Sequence, residues 1–372
     1  MIAIDRRSFQ HFDWLLLALM LAILAIGFVN LFSTTQPLPP PQIGVASEFK
    51  TQLAALGLGL AGMVVAIAID YRRLERGAPF FYVLVLASLA LTVVFGIEIR
   101  GNKSFLKLGP FSLQPAEFAK LGLVVMMARH FHRHPPTEVR RLIDLIVPAL
   151  LLALPVALII AQRDTGVAVL TLLIGATFFL FVALPWRTWA ILGVIAVAGA
   201  VGAWEVGLKP YQRARVLSFV QAGSGDSHGS DYQAIQSRIA VGSGGLTGQG
   251  WLQGPQNRGQ FLPTQHSDFA FSVVAEEWGF AGGASALVLY AGLLLWGLAI
   301  AANSKDGFGG MLAVGVVSML FWPAVINVAM VLGLAPVIGV PLPLISYGGS
   351  QLLANLVALG LLMNVSMRRY MF

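Results

Sequence analysis

The chain of 372 residues is 57% apolar and 11% charged, contains no cysteine and carries a formal net charge of +7. Soluble domains hold about 45–50% apolar and about 25% charged residues. A water-soluble fold is therefore excluded, as are disulfide frameworks, thiolate metal sites, cysteine nucleophiles and lipidated cysteine anchors; the basic excess points to membrane orientation and not to nucleic acid.

In chain order, apolar runs of about bilayer length predict ten spans, at roughly 14–32, 53–69, 78–97, 116–128, 143–161, 166–184, 189–208, 280–301, 310–334 and 351–367. The first follows Arg6 and Arg7, but it is longer than a signal-peptide core and no small-x-small site follows, so it is expected to remain as a helix. The fourth is short and is expected to extend beyond its apolar run. Pro37, Pro39, Pro40 and Pro41 form a stiff linker after the first span. Arginines at 6–7, 72–76, 129–141 and 368–369 gather on one side of this arrangement, and the positive-inside rule makes that side cytoplasmic. Both termini are then inside, and the segment 209–279 between spans seven and eight is outside. It is too long for a structureless loop and too rich in apolar and aromatic residues for disorder, so it is predicted to form short amphipathic or re-entrant helices. The expected fold is one all-α polytopic membrane domain over 1–372, without internal repeats.

Ionisable side chains within apolar runs are costly and carry functional hypotheses by default. Glu117 and Lys120, three residues apart in Gln114-Pro-Ala-Glu-Phe-Ala-Lys120, share a helical face and can pair. A structural ion pair that orients its helix is the equal alternative. Asp268, between His266 and Phe269, sits where a polar loop enters an apolar run. Locally, an N-cap is the leading reading, and the same holds for Asp164 before the sixth run. Glu276 and Glu277 read as a solvated helix end, or as a partner for a loop arginine. Gly242-Ser-Gly-Gly-Leu-Thr-Gly-Gln-Gly250 could form an anion-binding nest or simply turn the chain. Pro341-Leu-Pro-Leu-Ile-Ser-Tyr-Gly-Gly-Ser350 breaks the chain at membrane depth and is expected to line a cavity. His130, His132 and His134 lack the further ligands that a metal site needs.

In this order, Gln114-Pro-x-Glu-Phe-x-Lys120, Gln162-x-Asp-x-Gly166, Ile239-Ala-Val-Gly-Ser-Gly-Gly-Leu246, Leu262-Pro-x-x-His-x-Asp-Phe269 with Glu276-Glu277, and Pro341 to Ser350 resemble the SEDS family of RodA, FtsW and SpoVE over about residues 14–369. Gly254-Pro-Gln-Asn-Arg258 looks more like the RodA, elongation branch. Departures are Ala116 for a usual Ser, Arg163 for a usual Pro, Pro255 for a common Thr, and Thr264-Gln265-His-Ser267 for a Glu-x-His-Thr type of sequence.

The resemblance implies a peptidoglycan glycosyltransferase of the bacterial cytoplasmic membrane. Such an enzyme polymerises lipid II, an undecaprenyl-diphosphate disaccharide-pentapeptide, on the outer face and works with a class B penicillin-binding protein that supplies the transpeptidase. The family's catalytic aspartate maps onto Asp268, and its intramembrane Glu and Lys onto Glu117 and Lys120; with this, the cap reading of Asp268 no longer leads. A diphosphate leaves without a second carboxyl acid but needs positive charge, for which Lys120, Arg213, Arg215, Arg238 and Arg258 are candidates. Asp164, His266 and Ser346 complete the expected substrate-binding set. No cofactor is expected; a divalent cation is compatible with the chemistry, but no Asp-x-Asp motif is present and no ligands are assigned. The runner-up reading is a flippase that carries the same lipid-linked precursor with a proton relay.

Overall fold

A backbone in hydrocarbon must satisfy its own hydrogen bonds, and an uninterrupted apolar run does so as a helix. A computed structural model describes residues 11–36, 46–99, 102–108, 111–135, 141–182, 185–202, 213 and 230–369, and each predicted span falls on a helix there. Helices α1 (Trp14–Thr34), α2 (Ser47–Ala68), α3 (Tyr71–Phe95) and α4 (Pro115–Arg133) come first. After a 3-10 turn at Leu142–Leu145 follow α5 (Ile146–Ala161), α6 (Thr165–Phe179) and α7 (Trp186–Gly202). The outer segment holds α8 (Ser230–Ser243) and the single turn α9 (Pro255–Arg258). Helices α10 (Ala270–Ala302), α11 (Gly307–Val331) and α12 (Gly349–Arg368) close the chain.

Among the described residues, seven helices are long and apolar enough to cross a membrane, which makes this a polytopic membrane protein. Helices α6 and α7 are shorter, and α4 carries Glu117, Lys120 and a basic end. The fourth span does extend, to Pro115–Arg133, because the helix continues through its charged last turn. The eighth starts ten residues before the predicted 280, at Ala270.

Burial sorts the bundle into layers. The most apolar windows of α11 and α12 are 67% and 83% buried, against 28% for α2, α3, α5 and α10. The first two are thus core helices, together with α4, whose side chains from Pro115 to Val125 are almost all buried. The other four keep large apolar side chains such as Phe80, Val83 and Leu295 exposed, as lipid contact requires. At one end of the bundle, buried Asp13 caps α1 through Leu16 N–H at 3.1 Å. It also accepts from Trp296 Nε1 at 2.9 Å and Ser366 Oγ at 2.6 Å, which joins the start of α1 to the ends of α10 and α12.

At the opposite end, two features depart from the expected short connections. Strands β1 (Ile97–Ile99), β2 (Asn102–Leu108) and β3 (Phe111–Leu113) form an antiparallel sheet in the order β1-β2-β3. Lys103 N–H of β2 donates to Gln162 O at 3.0 Å, tying the sheet to the α5–α6 turn.

The second feature is a break in α10 at Gly279 (φ 65°, ψ −162°). Gln249 N–H and Gly250 N–H donate to Glu276 O and Glu277 O at 3.0 Å, while Phe280 N–H and Ala281 N–H donate to Gly245 O and Leu246 O at 2.9 and 3.0 Å. The glycine-rich segment is therefore not an anion nest. Its backbone supplies the partners that the broken helix lacks, and a Cβ at Gly244, Gly248 or Gly279 would overlap the backbone it meets.

Candidate active site

The N-termini of α4, α6, α10 and α12 gather at the end of the bundle opposite Asp13. Gln114 links three of them: its N–H donates to Ser350 Oγ at 3.0 Å, and its side-chain amide donates to Asp164 Oδ2 at 3.0 Å. Asp164 also caps α6, accepting from Val167 N–H at 3.2 Å, so the cap and site readings hold together. One turn into α4, Lys120 Nζ lies 2.9 Å from Glu117 Oε1 and 2.8 Å from Oε2. Both side chains are almost wholly buried, and both are near enough to act on the charge of Asp164. The result is two carboxylates and one ammonium inside the bundle, at the positive ends of several helix dipoles.

Asp268 lies on the other side of the chain between α11 and α12 from the start of α6. A Cβ added to Gly339 (φ 71°) would lie 3.4 Å from Asp268 Oδ2, and one added to Gly166 would lie 2.8 Å from Ile338 O. The strip 338–339 therefore separates Asp268 from the start of α6 by about the thickness of one backbone. The N-cap of α10 is Phe269 and not Asp268, which overturns the local cap reading. The carboxylate is partly exposed.

His266 and Ser346 both belong to the packing beside this strip. Tyr347 N–H donates to His266 O at 2.8 Å, with the two rings 5.6 Å apart and steeply inclined. The Ser346 hydroxyl accepts from Leu342 N–H at 2.9 Å, so it closes its own turn. Gln52 of α2 grips the same segment, donating to Ser346 O at 3.3 Å and accepting from Gly348 N–H at 3.1 Å. Arg238 on α8 and Arg258 on α9 are exposed; the Arg238 stem passes over Gly333 at the end of α11. Arg213 is partly buried, and Arg215 lies outside the described residues, as do Pro37 to Pro41.

Glu276 and Glu277 do not form a solvated helix end, being 0% and 1% exposed, and their hydrogen-bond partners among the described residues are not arginines. Glu276 accepts from Gln256 N–H at 2.7 Å and Asn257 N–H at 3.1 Å. Glu277 accepts from Ser33 Oγ at 2.5 Å and Asn257 Nδ2 at 2.8 Å. Charge-assisted bonds of this kind are the strong ones, and here they hold the turn α9 onto α1 and α10. Asn30 and Asn327, polar side chains inside apolar runs, brace the same end by donating to Ala270 O and to Asp268 O and Val340 O. Among the described residues, no cluster of three His, Asp or Glu side chains could hold a metal ion.

Non-glycine residues with left-handed φ cluster around this end: Arg163 (66°), Leu252 (63°), Gln260 (50°), Thr264 (57°) and Leu344 (64°). Each costs on the order of 1–3 kcal/mol, and such strain gathers at functional sites. Arg163 carries a specific meaning, because proline is confined to φ near −65°. The α5–α6 turn in its present shape therefore requires a residue other than proline at 163.

Membrane-length helices converging on buried carboxylates and a lysine define a polytopic membrane protein with a charged site at one end of its bundle. A family model described as "Cell cycle protein", covering FtsW, RodA and SpoVE, matches residues 13–371. The chain belongs to that family. It is 36% identical over 363 residues to the peptidoglycan glycosyltransferase MrdB of Escherichia coli K12, covering 97% of this chain and 95% of that protein. It is 34% identical over 362 residues to the stage V sporulation protein E of Bacillus subtilis, covering 95% and 96%. Among solved structures, RodA of Thermus thermophilus superposes with a TM-score of 0.70 at 34% identity, over 96% of this chain and 98% of that one. A chain from work described as structural coordination of polymerization and crosslinking by a peptidoglycan synthase complex superposes with a TM-score of 0.80 at 38% identity, over 97% and 99%.

Proposed function

We propose that this chain is a peptidoglycan glycosyltransferase of the RodA branch that polymerises lipid II on the outer face of the cytoplasmic membrane, with Asp268 as general base. The observation that carries the reading is the meeting of Asp268 with the Glu117, Lys120 and Asp164 cluster across the strip 338–339. Named peptidoglycan glycosyltransferases that align over nearly the whole chain support it.

In the proposed reaction, the acceptor sugar's 4-hydroxyl oxygen bonds to the donor's anomeric carbon with inversion, and the bond from that carbon to the diphosphate oxygen breaks. The hydroxyl proton passes to Asp268, as an inverting displacement requires. The departing diphosphate carries its own negative charge and needs no carboxylic acid; Lys120 offsets that charge, and Glu117 and Asp164 hold the ammonium in place. The helix N-termini around the site add positive potential. Arg213, Arg215, Arg238 and Arg258 are proposed to contact the diphosphates or the glycan from the outer segment.

All ten predicted spans cross the membrane in this proposal, with both termini cytoplasmic and Asp268 on the outer side. The partner is a class B penicillin-binding protein, in keeping with the synthase complex described for one solved relative. The flippase reading needs ionisable groups along the whole membrane depth. Among the described residues, buried Asp, Glu and Lys side chains occupy the site end and the Asp13 anchor at the other end, and Asp13 is engaged by Trp296 and Ser366.

The test is lipid II polymerisation by the purified chain with its transpeptidase. Asp268→Ala is expected to lower the rate by about 10²–10⁴-fold, the usual contribution of a general base. Full polymer yield from that variant would remove Asp268 from the chemistry.

A further inference from the structure

Asn327 is fully buried in an otherwise apolar stretch of α11. Its amide nitrogen donates to Asp268 O at 2.7 Å and to Val340 O at 2.6 Å. These carbonyls come from the two segments that flank the site: the residue before the N-cap of α10, and the strip whose Gly339 faces the Asp268 carboxylate. Two carbonyl oxygens brought to one point repel each other unless a donor stands between them, and a neutral primary amide supplies two N–H groups in one plane at that point. The amide oxygen accepts no hydrogen bond among the described residues, so donation to the two carbonyls is the polar contact this side chain makes. A second buried amide acts two residues on, where Asn30 of α1 donates to Ala270 O at 3.0 Å. The backbone from 268 to 270 is thus held from two sides.

We propose that Asn327 is a positioning residue that fixes Asp268 relative to the 338–340 strip, and hence relative to the acceptor hydroxyl. The proposal rests on the assignment of Asp268 as base. No binding of substrate by Asn327 is involved. A displacement of about 1 Å at a reacting group costs about 10²-fold in rate, and loss of the amide frees the aspartate's backbone to move by that amount.

The experiment measures kcat and KM for lipid II polymerisation by Asn327→Ala, Asn327→Ser and Asp268→Ala, each purified with the transpeptidase and checked for monodispersity and thermal midpoint. Asn327→Ala is expected to lower kcat by about 10²-fold, with KM within about threefold and a displaced acid limb in the pH profile of kcat, because the base no longer sits in its native surroundings. Asn327→Ser keeps one donor and is expected to fall between, which decides the matter should the alanine variant not fold. The double variant with Asp268→Ala is expected to be no slower than Asp268→Ala alone. Wild-type kcat in a folded Asn327 variant, a loss confined to KM, or a further loss in the double variant would each overturn the positioning role. Polymerisation by Asp268→Ala at full rate would instead remove the base assignment, whatever Asn327 does.

Discussion

Lys120→Met tests whether the buried pair serves the fold, the chemistry or both. In the native bundle, Lys120 Nζ contacts both oxygens of Glu117, within the reach of Asp164. Removing the ammonium leaves two carboxylates in a low-dielectric site with no other ion-paired cation among the described residues. Breaking a buried pair in this way costs about 3–5 kcal/mol, which lowers the thermal midpoint in detergent by on the order of 5–10 °C. Replacing both partners with apolar side chains of similar volume is often neutral or stabilising. Glu117→Leu with Lys120→Met should therefore unfold within about 3 °C of the wild type, or above it. The assay pairs a thermal scan with lipid II polymerisation. If the pair holds diphosphate, both variants fail to make polymer, although only the single variant is unstable. Wild-type polymerisation by the double variant would show that the pair merely orients α4, and an undisturbed midpoint in Lys120→Met would refute the burial argument itself.

Gly279→Ala places a side chain against the backbone of the glycine-rich segment at a left-handed φ, and should destabilise the protein by about 1–3 kcal/mol, read as faster proteolysis between 244 and 282. Trp296→Phe removes the one indole N–H that the two oxygens of the Asp13 carboxylate share at the far end of the bundle. It should lower stability by about 1–3 kcal/mol while leaving the polymerisation rate of the folded protein unchanged; a lower rate would mean that the two ends are coupled.

The helical framework was legible because a bilayer crossing demands a long apolar run, which few other structures tolerate. Site charges were legible for the same reason, since Glu117 and Lys120 are conspicuous against such a background. The small sheet escaped notice because a three-residue strand carries almost no periodicity; the punctuation at Gly101 and at Gly109-Pro110 was its one local sign. Glu276 and Glu277 were misjudged because nothing local shows that residues 254–257 fold back to donate backbone N–H groups to them. Asp268 and Asp164 looked alike in sequence, each a carboxylate before an apolar run. The register of the following helix separates them: one caps α6, and the other sits one residue too early to cap α10.

The joint between the glycine-rich segment and α10 is built from peptide groups on both sides. What it requires of the sequence is mainly the absence of a β-carbon at a few positions. Leu246 on this segment remains 76% exposed and its side chain takes no part in the pairing, whereas Trp251 just beyond it stacks on Phe32 and donates to Val29 O of α1. The outward surface at Leu246 can therefore be rewritten, for example to suit a different neighbour, while the peptide-to-peptide joint beneath stays as it is.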